Sequence, residues 1–511
     1  MKNKFLAATL FIGTLWLVSC KKDFLEQLSP NAISVEQNFQ SEGDVALAVN
    51  GTYQALRSSN CIGEGAVTWT DDRSDDINST DNQSNNGEPF QFTAFSLTPN
   101  NTYLYTHWTA LYTPVSRANQ VLAVIDGIKF ASDAVKTQYI AEMKFIRALM
   151  YFNLVREFGG VPVVTTTLSN TDDIKALSFR ETRENVYAQI IKDLKDVVAS
   201  NLPVVQSADN KGRVSLQAAN ALLGQAYLTM AASGVDAPNA AANFANAKVY
   251  LEACYNQRGF GNLSEIPYPD AFDVAKKGTN KEVIWQIVYK QGDQNYSSSL
   301  ARGNQAKGET INSLAVSTGA GGAFTLDLQK EFETGDARTS FSIKYASNTS
   351  VQAYFITKFR DASNAAGTLG YGGNDFPIIR YADVILNLAE VHMYLNDNVN
   401  AIKYLDMVRT RAGMPGYAAM QSNASYTTKY PTLKLAILHE RRIELAFEHH
   451  RWHDLVRFFK PDELVSYIRS KSQADYNNSP LTNITTKDYY FPIPLNEVKI
   501  DPEKMKQNPG Y

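Results

Sequence analysis

The chain has 511 residues, with 49 Lys and Arg against 52 Asp and Glu and a formal net charge of −3. It is long enough to bury a sizeable core without metal or disulfide staples, and its length fits one large domain or a few ordinary ones. The charge balance argues against a nucleic-acid partner, and three cysteines cannot build a disulfide framework.

The first element is a leader. Lys2 and Lys4 precede an uncharged, mostly apolar run from Phe5 to Val18, too short to span a bilayer core and of the length of a secretory h-region. It ends in Leu17-Val18-Ser19-Cys20, the form of a bacterial lipobox, whose Cys thiol becomes a thioether to diacylglycerol. Residues 1–19 are therefore expected to be a signal peptide, and Cys20 a lipidated residue that holds the protein on a membrane without a spanning helix. Residues 20–34 read as a tether.

Val45, Val49, Tyr53 and Leu56 then recur at helical spacing. Residues 57–101, rich in Asp, Asn, Ser and Gly, read as a long irregular excursion. Helices are predicted over Tyr103–Ile125, Ala131–Phe158 (stopped by Gly159-Gly160 with Pro162 behind) and Arg180–Ser200. Residues 215–254 and Tyr381–Arg411 read as helical hairpins, the first with part of a tetratricopeptide pattern at Leu223-Gly224 and Tyr227. The best strand run is 283–289, and 291–323 and 361–374 are further polar loops. The fold class is thus mainly α, built of tetratricopeptide-like helical hairpins with a more irregular, loop-rich half and little β. Glu444 through His453 are expected on one helix, with Trp452 and Phe447 in the core. His449 and His453 could share a face of it, but the H-E-x-x-H order of a zinc site is absent, and nearby arginines compete for the carboxylates. No metal ligands are assigned.

The most specific text lies in the carboxyl third: Glu440-Arg441-Arg442-Ile443-Glu444-Leu445-Ala446-Phe447-Glu448, then Trp452-His453-Asp454-Leu455-Val456-Arg457, Tyr490-Phe491-Pro492-Ile493-Pro494 and Asn508-Pro509-Gly510-Tyr511. Upstream lie Arg147-Ala148, Phe158-Gly159-Gly160-Val161-Pro162, Gly212-Arg213-Val214-Ser215, Gly335-Asp336, Arg380-Tyr381-Ala382-Asp383 and Arg411-Ala412-Gly413. In this order, from lipobox to last residue, the sequence resembles the SusD/RagB family of outer-membrane lipoproteins. One departure is His449, where relatives often have Gly. The resemblance implies a single domain over 35–511, with an N-terminal SusD-like part at about 35–230 and a C-terminal RagB/SusD part at about 270–511, and four tetratricopeptide-like units. It implies that the protein binds a nutrient, most often a glycan, and delivers it to a SusC-like TonB-dependent transporter. It also implies an outer-membrane location through the lipid anchor, facing outward, with no catalysis and no cofactor. The same architecture could instead carry peptide or another nutrient. A surface glycoside hydrolase is the weakest alternative, since nothing pairs two carboxylates.

Sugar recognition calls for flat rings that stack on pyranose faces, beside amides and carboxylates that meet vicinal hydroxyls. Trp69, Asp71, Asp72, Arg73, Asp75, Asn78 and Asn82 supply that mixture in the first loop. Tyr103 is a further candidate, and Tyr296, Arg302 and Phe324 are the sparse large side chains of the second loop region. Asp72, Ser74, Asp76 and Asn78 alternate like calcium-loop ligands, but Ile77 replaces the required Gly and Gln83 the final Glu, so an EF-hand is excluded. A looser calcium site is compatible with the spacing but is not expected.

Overall fold

A computed structural model describes residues 39–77, 82–168, 170–177, 179–305, 310–311, 314–315, 324–346, 353–366, 370–476 and 480–511. Cys20, the tether and Asn78 lie outside them.

Most of the longer helices start at polar caps. Helix α1 (Glu42–Ala55) has a capping box, in which Ser41 accepts from the Asp44 N–H and Asp44 from that of Ser41. Side chains of Asn101, Ser132, Thr182 and Ser215 likewise cap α2 (Thr102–Val124), α3 (Asp133–Phe158), α4 (Arg183–Val198) and α5 (Leu216–Ala232). Helix α6 (Ala240–Asn256) follows, then α7 (Tyr381–Tyr394) and α8 (Asn398–Arg411). Each of these eight helices packs on the next, giving four consecutive pairs. The closest approach is at Gly224 of α5, where a Cβ would stand 2.6 Å from the Leu251 side chain of α6. The glycine read as part of a tetratricopeptide pattern is there because the helices leave no room for a methyl group.

Strands are few. β1 (Val283–Ile287) pairs antiparallel with β4 (Phe376–Arg380), and β2 (Ile343–Ala346) with β3 (Ala353–Ile356). Trp452 and Phe447 are buried, as the sequence predicts, and so is Trp108. Cys61 and Cys254 are buried free thiols.

The single helix expected through 444–453 is two helices. α9 (Leu433–Glu444) ends, the chain turns, and α10 (Arg451–Phe458) begins; α11 (Pro461–Arg469) follows. Phe447 and His449 in the turn have φ of +66° and +64°, a conformation side chains resist. His449 thus occupies a position suited to Gly. Its ring is held against Phe376, with centroids 4.6 Å apart.

The turn is imposed by buried charge. Arg380 donates to Glu448 at 2.7 Å, to Glu444 at 2.6 Å and to Glu282 at 2.8 Å, and all four side chains are essentially inaccessible. Arg338 joins Asp336, Glu440 and Glu444; Arg409 joins Glu440 and Glu333; Arg411 joins Glu282 and Glu444; Lys358 joins Glu448. Arg441 bridges Asp383 and Asp454, and Arg457 bridges Glu390 and Asp454. The expected ion-pair role of these residues holds, although they divide between two helices.

Removing one member of such a lattice strands its partners in a low-dielectric interior, at a cost of about 3–5 kcal/mol. Arg380→Ala should therefore lower unfolding stability by about that amount in denaturant titration, and more than Arg380→Lys, which keeps the charge.

His439 extends the lattice. Its Nδ1 lies 2.6 Å from Glu331 Oε1 and its Nε2 3.0 Å from Glu333 Oε1, so both nitrogens must donate and the ring is an imidazolium. Burial opposes that charge, but Glu331 and Glu333 outweigh it and raise the pKa above the ordinary histidine value. A raised folded-state pKa contributes stability that is complete below the unfolded pKa of about 6.5 and is lost as pH rises through the folded one. The melting-temperature gap between the native protein and His439→Gln should be widest below about pH 6.5 and narrow as pH rises.

Candidate functional site

The acidic run of the first loop is not a solvated surface. Asp75 accepts from Arg451 Nε at 2.6 Å and Nη2 at 2.8 Å, and lies 2.9 Å from Lys471 Nζ. Burial works against its charge, yet Arg442, Arg451 and Lys471 hold the carboxyl well below the usual range. Asp76 accepts from Arg442 at 2.7 Å. Arg73 is fully buried, donating to the Asp488 carboxylate at 3.0 Å and the Phe92 carbonyl at 3.2 Å. Burial pushes Asp71 well up, helped by Asp76 and Asp72, and lifts Asp72 to about 7.

Trp69 is 2% exposed, stacked 4.2 Å from the His107 ring and edge-on to Phe92. It walls a cavity of about 60 Å³ together with His107, Glu157 and His453. As sugar-contact candidates, Trp69, Asp71, Asp72, Arg73 and Asp75 are corrected to core: arginines of the carboxyl third hold Asp75, Asp488 holds Arg73, and Trp69, Asp71 and Asp72 are buried with them.

The remaining candidates divide. Asn82 and Arg302 are exposed, Tyr103 is half-buried against the core, and Phe324 is half-buried beside Phe447, 5.5 Å between centroids. Tyr296 is 44% exposed. Beneath it lies Arg57, which the sequence reading passed over, with its guanidinium carbon 4.7 Å from the Tyr296 centroid and 5.3 Å from that of Tyr289. Arg57 has no ion pair among the described residues; one nitrogen reaches the Asn295 carbonyl at 3.4 Å. Arg57 and Asn295 are 238 positions apart in the chain, so no local pattern could have joined them.

Polar staples hold this junction. Glu64 accepts from Ser298 Oγ at 2.5 Å, Ser299 Oγ at 2.7 Å and Ser299 N at 3.0 Å. Ser298 N donates to Gly372 O at 2.8 Å, and Gln291 donates to Asp361 and Ser363. Farther along, Thr325 N donates to Asp76 O at 2.8 Å. The two loops read as a ligand surface do meet, but through residues other than the acidic run.

Beside Tyr296, Arg57 also lines a cleft of about 330 Å³. Asn50, Gln54 and Asn210 bring amides to it, and Arg213 a second guanidinium, tied at 2.6 Å to Glu142 and 2.7 Å to Asn50. Two guanidiniums and several amides around one concavity, with an exposed ring stacked on one of the guanidiniums, can stack a flat face and hydrogen-bond a ring of hydroxyls.

One cluster has metal-like spacing among the described residues: Glu333, His439 and Glu440. Its nitrogens and oxygens are already engaged by Glu331 and Arg409, which makes it part of the ion-pair lattice.

Two family models match successive parts of the chain. One, described as starch-binding associating with outer membrane, covers residues 23–228; the other, the SusD family, covers residues 342–511. The chain belongs to the SusD/RagB family. SusD-like protein P2 of Formosa agariphila is 26% identical over 531 residues, covering 98% of this chain and 99% of the relative. A solved SusD superfamily protein from Parabacteroides distasonis superposes with a TM-score of 0.72 at 23% identity, covering 93% of this chain and all of that one. A laminarin-binding SusD-like protein superposes at 0.70 with 25% identity over the same shares. The mainly helical class read from sequence is that of the SusD/RagB superfamily, and no helix among the described residues is long and apolar enough to cross a membrane.

If Trp69 is core and Tyr296 is surface, their truncations must differ. Trp69→Ala should cost about 3–5 kcal/mol of stability. Tyr296→Ala should stay within about 0.5 kcal/mol of the native protein, both read by thermal unfolding.

Proposed function

We propose that the protein is a surface lipoprotein, anchored to the outer membrane through Cys20, that binds an oligosaccharide at the Arg57–Tyr296 cleft and delivers it to a SusC-like TonB-dependent transporter. One observation carries the reading: an exposed tyrosine ring stands on a guanidinium that has no carboxylate partner among the described residues and that itself lines an amide-bearing cleft. Membership of the SusD/RagB family and the likeness to a laminarin-binding protein support a glycan as ligand. Residues 20–34 would be the tether and 35–511 a single binding domain.

A binding role fits the carboxylates around the cleft better than hydrolysis does. Glycosidases need two carboxyl groups facing across the scissile bond. Among the described residues one carboxylate, Asp209, lines the cleft; nearby Glu64 holds Ser298 and Ser299, Asp375 accepts from Tyr289 N and Gln286, and Glu142 is tied to Arg213.

Calorimetry against a panel of oligosaccharides and peptides tests this. An oligosaccharide should bind, and Tyr296→Ala and Arg57→Ala should each weaken it about tenfold or more, which is about 1.4 kcal/mol. Binding of peptides alone would reassign the cargo. Pull-down from solubilised outer membrane should recover a TonB-dependent barrel in near-equal amount, and its absence would count against delivery.

A further inference from the structure

A second concavity lies elsewhere on the molecule. Trp108, Thr109, Tyr112 and Thr113 of α2, with Pro162, form one wall, and Glu497, Ile500 and Met505 of the carboxyl-terminal segment form the other. Its volume is about 350 Å³, within the range of small-ligand sites. The ring centroids of Trp108 and Tyr112 are 5.0 Å apart. Ile500 beside them is 58% exposed, an apolar side chain left at the rim.

The polar groups have a direction. Tyr112 Oη donates to Pro162 O at 2.8 Å, Thr113 Oγ1 to Thr109 O at 2.8 Å, and Thr109 Oγ1 to the Thr106 and Tyr105 carbonyls at 3.0 and 3.2 Å. Their protons are spent on the main chain, so what these hydroxyls offer a ligand is lone pairs. Glu497 is acceptor-only when ionised. It makes no side-chain hydrogen bond or ion pair among the described residues, and desolvation raises its pKa. Lys504, in the same segment, is paired with Asp501. The wall thus combines aromatic rings, acceptors and an uncompensated carboxylate, a set complementary to a donor-rich cation.

We propose that this groove is a second ligand site, for an amino-sugar unit whose ammonium pairs with Glu497 while its ring lies against Tyr112 and Pro162 and its hydroxyls donate to Thr109 and Thr113. The site is separate from the Arg57–Tyr296 cleft and does not depend on that cleft's function.

Titrate the full chain with glucosamine, N-acetylglucosamine, glucose and n-butylamine, following ligand-observed NMR. Glucosamine should bind, with the two uncharged sugars and n-butylamine at least about tenfold weaker, the scale of one charge-assisted hydrogen bond. Glu497→Gln should weaken glucosamine by a similar factor at unchanged melting temperature, and Ser116→Trp, at the groove's edge, should block it. Tyr296→Ala should leave it intact. Equal binding of glucose would overturn the ammonium–carboxylate pairing, and n-butylamine matching glucosamine would overturn the sugar. Loss of binding in Tyr296→Ala, retention in Glu497→Gln, or no glucosamine binding at all would overturn the site.

Discussion

The structure hangs on the burial of charge around α9. Four of its last five residues, Glu440, Arg441, Arg442 and Glu444, are ionic, and none of them is more than 3% exposed. Each points to a different part of the chain: Glu440 to Arg338 and Arg409, Arg441 to Asp383 of α7, Arg442 to the Asp75–Asp76 segment, and Glu444 to Arg380 at the end of β4. Isolated, any one of these charges would be too costly to bury. Together they form a lattice whose members satisfy one another, and it specifies how the helical pairs meet the loop-rich half.

That lattice decides what the loops can do. Because Arg442 and Arg451 draw Asp75 and Asp76 inward, the first loop becomes a strut under the surface. Thr325, bonded to the same segment, brings in the chain that follows the second polar loop. The residues left facing solvent at the junction are those the lattice does not use, Arg57 and Tyr296 among them. A polar core and a ligand cleft are thus two sides of one arrangement.

Much of the helical half was legible. The 3.6-residue periodicity of 131–158 and the Asn-Asp-Asn turn between the helices of Tyr381–Arg411 match the observed elements within a few residues. Helix–helix packing there is local, so the pattern that makes each helix amphipathic also names its neighbour. The candidate site was legible only as two loops that might share a surface. Composition marks Asp75 and Asp76 as polar, but whether a carboxylate meets a sugar or an arginine depends on residues more than three hundred positions away. The break after Glu444 was equally hidden, since helix-compatible residues continue to Arg457 and only their partners force Phe447 and His449 into left-handed backbone.

By itself, the chain of residues determined the apolar leader too short to span a bilayer, the helical pairs and the balance of charge. These follow from spacing and residue type, which act over a few turns of chain. Tertiary structure alone decided which polar residues are buried, which ring is exposed and where the clefts open. Those outcomes come from ion pairs and packing between distant segments, where the cost of an unpaired buried charge selects one arrangement among many that local pattern allows.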